Sequence, residues 1–162
     1  MSYNPQPVGR LTNYSSLNDS DFDKQEISTT LVELNSTALT YTPTSTASAV
    51  LFDVSYGFAW NPDRYGSFLS MRVQYSLDDV TWTDIDSTRT FVGDGLNVYD
   101  SNWHLMSVSY TLPTWSGARY LRLAGQAYSS STETTWGRAY TIAGSNTDGF
   151  CPMISVYCVE PV

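Results

Sequence analysis

Few side chains in this chain of 162 residues are of types and spacings that do chemistry. His104, the one histidine, stands in "NWHLM" beside many serines and threonines, but nothing sets a nucleophile against it. It is read as a structural histidine at a strand start. No GxSxG, HExxH or P-loop occurs. Asp78, Asp79, Asp84 and Asp86 form the densest polar cluster. Paired carboxylates serve glycosidases and hold Ca²⁺, yet Asp is also a preferred residue of tight turns. "DDVTWTDID" lacks the glycine and the ligand spacing of a calcium loop, so turn chemistry is expected. Asp78 and Asp79 are kept as candidate ligand-loop residues. Tyr65, Trp115, Trp136 and Tyr140 fall in or beside predicted loops. Aromatics there either stack on sugar faces and partners or close the end of a sandwich. Cys151 and Cys158 are seven residues apart, roughly 23 Å on an extended segment at ~3.3 Å per residue. That is too far for a mutual disulfide, and neither has metal-ligand spacing. The expectation is a protein without catalytic residues, metal or cofactor.

The formal net charge is −8, which argues against nucleic acid and anionic membranes as partners, since both need clustered Lys and Arg. The N-terminus "MSYNPQPVGRLTNYSS" has no apolar signal core, and no run reaches the length of a membrane span. Synthesis and folding in a host cytoplasm are expected.

What must position these side chains is a set of strands. Aromatics make up 14% of the chain, with 12 Tyr and 5 Trp, a composition that suits pleated surfaces. Residues 1–26 show neither a 2.0 nor a 3.6 period and are read as an extended N-terminal arm. Tyr3, Pro5, Pro7, Val8, Leu11 and Tyr14 are its candidate anchors. From residue 27 the period is 2. "ISTTLVE" gives a weak strand and "ALTYT" a second, closed by Pro43. "SAVLFDVSYGFAW" is the strongest, with Val50, Phe52, Val54, Tyr56, Phe58 and Trp60 on one face. Leu69, Met71, Val73 and Tyr75 alternate with Ser70, Arg72, Gln74 and Ser76. A short turn at Asp78 and Asp79 then predicts a hairpin of strands 68–77 and 80–86. Met106, Val108, Tyr110 and Leu112 share a face, as do Leu121 with Leu123, and Ile154 with Val156 and Cys158. Eight to ten short strands and no convincing helix predict an all-β, antiparallel β-sandwich of the jelly-roll type over residues 27–162. The Tyr56, Phe58 and Trp60 face is heavier in aromatics than a thin core needs, so it is the candidate interface between copies packed around an axis.

The run "ISTTLVELNSTALTYTPTSTASAVLFDVSYGF" resembles the opening of TNF/C1q-like jelly rolls in virion proteins of tailed phages. "RVQYSLDDVTWTDI" looks like their mid-domain hairpin. "HLMSVSYTLP" and "ARYLRLAGQAYSS" look like their penultimate strands, and "CPMISVYCVE" like their closing strand. Two departures stand out. Ala49 takes a position where Lys is common, and Asp79 replaces the Gly of an S-x-D-G-x-x-W turn also seen in carbohydrate-binding sandwiches. The resemblance implies a homotrimer on a virus particle. The short segment before the sandwich favours a capsid decoration (cement) protein bound to the major capsid protein. The alternative is a receptor- or glycan-binding tip of a fibre.

Overall fold

The computed structural model describes residues 9–17, 25–35, 37–60, 68–93, 103–127, 134–137 and 153–162. The strands are β1 (Gly9–Leu17), β2 (Gln25–Ile27), β3 (Val32–Glu33), β4 (Leu39–Tyr41), β5 (Ala49–Trp60) and β6 (Phe68–Ser76). After them come β7 (Thr83–Asp84), β8 (Thr90–Gly93), β9 (Trp103–Leu112), β10 (Arg119–Ala127), β11 (Thr134–Gly137) and β12 (Met153–Pro161), with a 3-10 turn at Asp86–Thr88.

Several short strands lie end to end and act as one row. β1 and β2 form the first row, β3 and β4 the second, β5 the third and β6 the fourth. β7 with β8, then β9, then β10, then β11 with β12 complete the series. Numbered this way, sheet A runs 1-8-3-6 and sheet B runs 2-7-4-5, every pairing being antiparallel. Two interleaved Greek keys of this order make a jelly roll.

The predicted alternation sets the core. Val50, Phe52, Val54 and Tyr56 of β5 meet Leu69, Met71 and Val73 of β6 and Leu121 and Leu123 of β10, all buried. Ile154, Val156 and Cys158 fill in from β12, and Tyr110 and Leu112 from β9. Tyr110 packs its ring on Phe52 at 6.5 Å. Tyr56, read from the sequence as part of a trimer interface, is fully buried between the sheets. The reason is parity. A strand in a two-layer sandwich turns one face inward, and on β5 the face of Val50, Phe52, Val54 and Tyr56 is that face. Phe58 and Trp60 belong to β5, but their side chains lie outside the described residues.

The first half of the chain is more ordered than its pattern suggests. Residues 9–17, assigned from the sequence to the arm, form the edge row of sheet A against β12. The periodicity is hidden because the register shifts between Thr12 and Ser15, with Asn13 at φ 53°. The "ISTTLVE" strand is two short pieces in different sheets: β2 joins β11 and β3 joins β10. Between them the chain changes layer, and Ser28 O accepts from Ala127 N at 2.7 Å. Asn35, buried, then ties the segment down: its Oδ1 accepts from Leu123 N at 2.8 Å and its Nδ2 donates to Thr37 O at 2.7 Å. Gly125 makes room here, since a Cβ would lie 2.8 Å from Leu34 Cδ1. The Thr-Pro-Thr-Ser turn before β5 is anchored to the last strand. Thr44 and Thr46 hydroxyls donate to Glu160 at 2.6 and 3.0 Å, and Ser48 N donates to Val159 O at 2.8 Å.

Candidate functional site

Two outer faces remain once the core is buried. On sheet B the outward positions carry long polar side chains. Arg122 Nε donates to Gln74 Oε1 at 2.9 Å, and Arg122 Nη1 pairs with Glu33 at 3.0 Å. Gln74 Nε2 donates to Asp84 Oδ1 at 2.7 Å, while Arg72 Nη1 holds Asp84 Oδ2 at 2.7 Å. Arg72 Nη2 reaches Gln126 Oε1 at 3.3 Å. The Arg122 guanidinium also lies 4.0 Å above the Trp82 ring. Arg72 and Gln74 are buried despite facing outward. Burial pushes the Asp84 carboxyl up, but the Gln74 and Arg72 hydrogen bonds and the Arg72 charge outweigh it, so its pKa lies below the ordinary value. Apart from Arg72 Nε, which has no hydrogen-bond partner, these side chains pair with one another.

Sheet A's outer face is different. Parity from the pairing places Leu51, Asp53 and Ser55 of β5 on it, with Ser107, Ser109 and Thr111 of β9 and Met153, Ser155, Tyr157 and Val159 of β12. Leu11 and Tyr14 of β1 complete it, and both are more than half exposed. A groove of about 520 Å³ runs along this face, floored by the serines and bounded by Tyr14, Met153 and Tyr157. Asp53 is the one charged side chain among those described on the face. It accepts from Ser109 Oγ at 2.5 Å and from the Tyr157 hydroxyl. The bond to Asp53 pushes the Tyr157 pKa up to about 12. Tyr14 and Ser155 hydroxyls meet at 3.0 Å, as do those of Ser55 and Ser107.

The residues singled out from sequence scatter. Asp78 is a turn residue: its carboxylate accepts from Val80 N, Thr81 N and the Ser76 hydroxyl at 3.0, 2.8 and 2.8 Å. The Thr81 and Val80 amides, with the Ser76 hydroxyl, lower its pKa to about 2. Asp79 sits at φ 60°, the conformation for which the turn pattern normally supplies Gly. Asp84 belongs to the sheet B network, so the acidic cluster is divided among separate tasks. Among the described residues no group of three His, Cys, Asp or Glu is placed to hold a metal ion. Trp115 packs on the core at one end of the sandwich, edge-on to Tyr41 at 6.1 Å and beside the Arg119 guanidinium at 5.2 Å. Cys158 is free and buried, accepting or donating at 3.1 Å with the Tyr41 hydroxyl.

Of the candidate arm anchors, Leu11 and Tyr14 lie on the sheet A face, while Tyr3, Pro5, Pro7 and Val8 lie outside the described residues. So do Tyr65, Tyr140, Cys151 and the side chains of His104 and Trp136. Sequence reasoning missed Asp53, Ser109 and Tyr157 as a group. The signal available was the off-core parity of β5 and β12, which by itself assigns no partner to any residue.

No protein-family model matches the chain, and no curated protein matches it. Among solved structures the chain is similar to that titled "Structure of infectious bursal disease virus Gx strain", at 13% identity and a TM-score of 0.41, covering 99% of this chain and 40% of that one. It is also similar to dimeric latent PorU from Porphyromonas gingivalis, at 10% identity and a TM-score of 0.36, covering 98% of this chain and 14% of that one. The chain therefore spans less than half the length of either.

Proposed function

We propose that this chain is a structural protein of a virus particle: a homotrimeric capsid decoration protein that stabilises the head by binding the major capsid protein. The observation that carries this reading is the outer face of sheet A. It exposes Leu11, Tyr14 and Met153 around a groove whose described lining residues carry a single charge, Asp53. Three copies packing that face around an axis would withdraw its aromatic and aliphatic carbon from water, which is what drives stable association. The resemblance of "TYTPTSTASAVLF" and the later segments to phage virion jelly rolls supplies the partner. No covalent chemistry is involved. A protein that binds the assembled shell and not its dissociated parts stabilises the shell by mass action.

Light scattering on a sizing column tests it. The expected mass is three chains, and Tyr14→Arg with Met153→Arg reduces it to one. Removing residues 1–8, and not β1, then tests the arm: the fold survives and coating of expanded capsids is lost. A single-chain mass at high concentration, with no coating of capsids, overturns the reading. The second reading is a glycan-binding tip, favoured by the serine and tyrosine hydroxyls and the Asp53 carboxylate that line the groove. It requires binding on a sugar array that Asp53→Ala abolishes.

A further inference from the structure

A sandwich must protect the edges of its sheets, because each edge presents a row of unpaired N–H and C=O groups. Three of the four edges here are blunted. On sheet B one edge is β3 and β4, of two and three residues, and the other is β7 and β8, of two and four residues, separated by the 3-10 turn. Neither offers a run long enough to template another strand. On sheet A the β1 edge is broken by its bulge, with Asn13 in the left-handed region. Bulges of this kind twist an edge away from a second chain.

β9 is the exception. It is ten residues long and pairs with β5 residue for residue from Val50↔Leu112 to Ala59↔Trp103, without a register shift. Its sequence, WHLMSVSYTL, contains no Pro, Gly, Lys, Arg, Asp or Glu. Among the described residues nothing pairs with its other side. From Ser107 onward the alternation is complete: Ser107, Ser109 and Thr111 are exposed outward, while Tyr110 and Leu112 are buried inward and Val108 is half-buried.

We propose that this edge pairs with β9 of a second copy, antiparallel across a two-fold axis, making one continuous sheet of the two sheets A. The strand is complementary to itself. Centred on Ser109, the pairing sets Ser107 against the second copy's Thr111 on the outer face and Val108 against its Tyr110 on the inner face. Hydroxyl meets hydroxyl, carbon meets carbon, and no like charges are brought together, the condition that edge lysines and glutamates normally violate. Half of the backbone groups of β9 gain partners in this way. The contact uses the edge of sheet A and not its face, so it goes beyond the proposed trimer and would join one trimer to another.

The test combines native mass with amide hydrogen exchange at high protein concentration. In the wild type all β9 amides from Ser107 to Leu112 are expected to be protected, with a mass twice that of the unit formed through the face. Ser107→Lys with Thr111→Lys sets like charges across the axis. Because Ser107 also lines the groove of the face, this pair is read in a Tyr14→Arg, Met153→Arg background, where it should reduce the edge dimer to a monomer and release alternate β9 amides, while the β5 amides stay protected and report an intact fold. In that background without the lysines, which removes the face contact alone, dimers support the edge pairing and monomers overturn it. Wild-type β9 amides that exchange alternately at high concentration also overturn it. A wild-type dimer in place of a trimer multiple would support the edge while removing the trimer.

Discussion

On sheet B the outward side chains of β6 and β10 include Arg72, Gln74, Arg122 and Gln126; on sheet A those of β5 and β9 include Asp53, Ser55, Ser107 and Ser109. Both sets come from the same alternation, yet their lengths differ. Neighbouring rows lie about 4.8 Å apart, a gap that Arg and Gln cross with hydrogen-bonding ends to spare. The sheet B side chains therefore close on one another and bury polar atoms within their own hydrogen-bond network. Serines reach only the adjacent serine, the Asp53 carboxylate or the Tyr14 hydroxyl, which leaves a shallow low-charge groove rimmed by Tyr14, Met153 and Tyr157. A face that satisfies itself gains little from a second molecule. One that leaves carbon in water gains by being covered.

The contrast can be broken in steps. The largest effect is expected beneath both faces, at Tyr56. Tyr56→Ala should cost about 3–5 kcal/mol in chemical denaturation, as for other large aromatic core truncations. A Tyr56 that served an interface would instead lower the assembled mass and leave single-chain stability intact. Next is the sheet B network. Arg72→Ala leaves Asp84 only its Gln74 hydrogen bond and should cost about 1.5–3 kcal/mol, below the range for a fully buried pair because Asp84 keeps that bond and some contact with water. Adding Asp84→Asn should recover part of that loss.

Acid acts on the same side of the molecule. The pKa values of Asp78 and Asp84 are lowered in the fold. Their contributions are thus present above the unfolded carboxylate pKa and are lost as pH falls, for Asp78 between about pH 4 and its folded value of about 2. Stability measured across that interval should fall with decreasing pH, and Asp78→Asn should flatten the dependence. A smaller effect of opposite sign is expected at the hairpin tip. Asp79→Gly should stabilise by about 0.5–1 kcal/mol, because Asp79 pays for a φ of 60° that Gly adopts freely. The smallest change in single-chain stability is expected on the sheet A face. Tyr14→Arg should shift the denaturation midpoint within about 0.5 kcal/mol, since the ring is 63% exposed. A loss of several kcal/mol there would mean that the face is framework like its counterpart.

Much of the architecture was legible in the chain. Period-2 runs such as 50–54, 69–73 and 154–158 named their buried apolar residues directly, because a strand between a sheet and water has no other way to hide its carbon. The turn at Asp78 followed from turn chemistry, whereas for Trp115 the sequence left a ligand loop and a sandwich end both open. β1 escaped notice because an edge strand with a bulge keeps few buried positions and breaks its own period. The split of "ISTTLVE" into β2 and β3 escaped because alternation tells which side of a strand is apolar and not which sheet the strand joins.

The sequence by itself determined that this protein is an all-β structure and which apolar residues of its regular strands turn inward. The tertiary structure alone decided which rows stand side by side, and with that everything about its surface. Tyr14, Asp53, Ser109 and Tyr157 are spread over more than 140 positions and carry no motif. They form one groove only because β1, β12, β5 and β9 are neighbours in sheet A. Strand neighbours are set by long-range pairing, whose free energy depends on closing loops and packing two sheets together, and no local pattern records it.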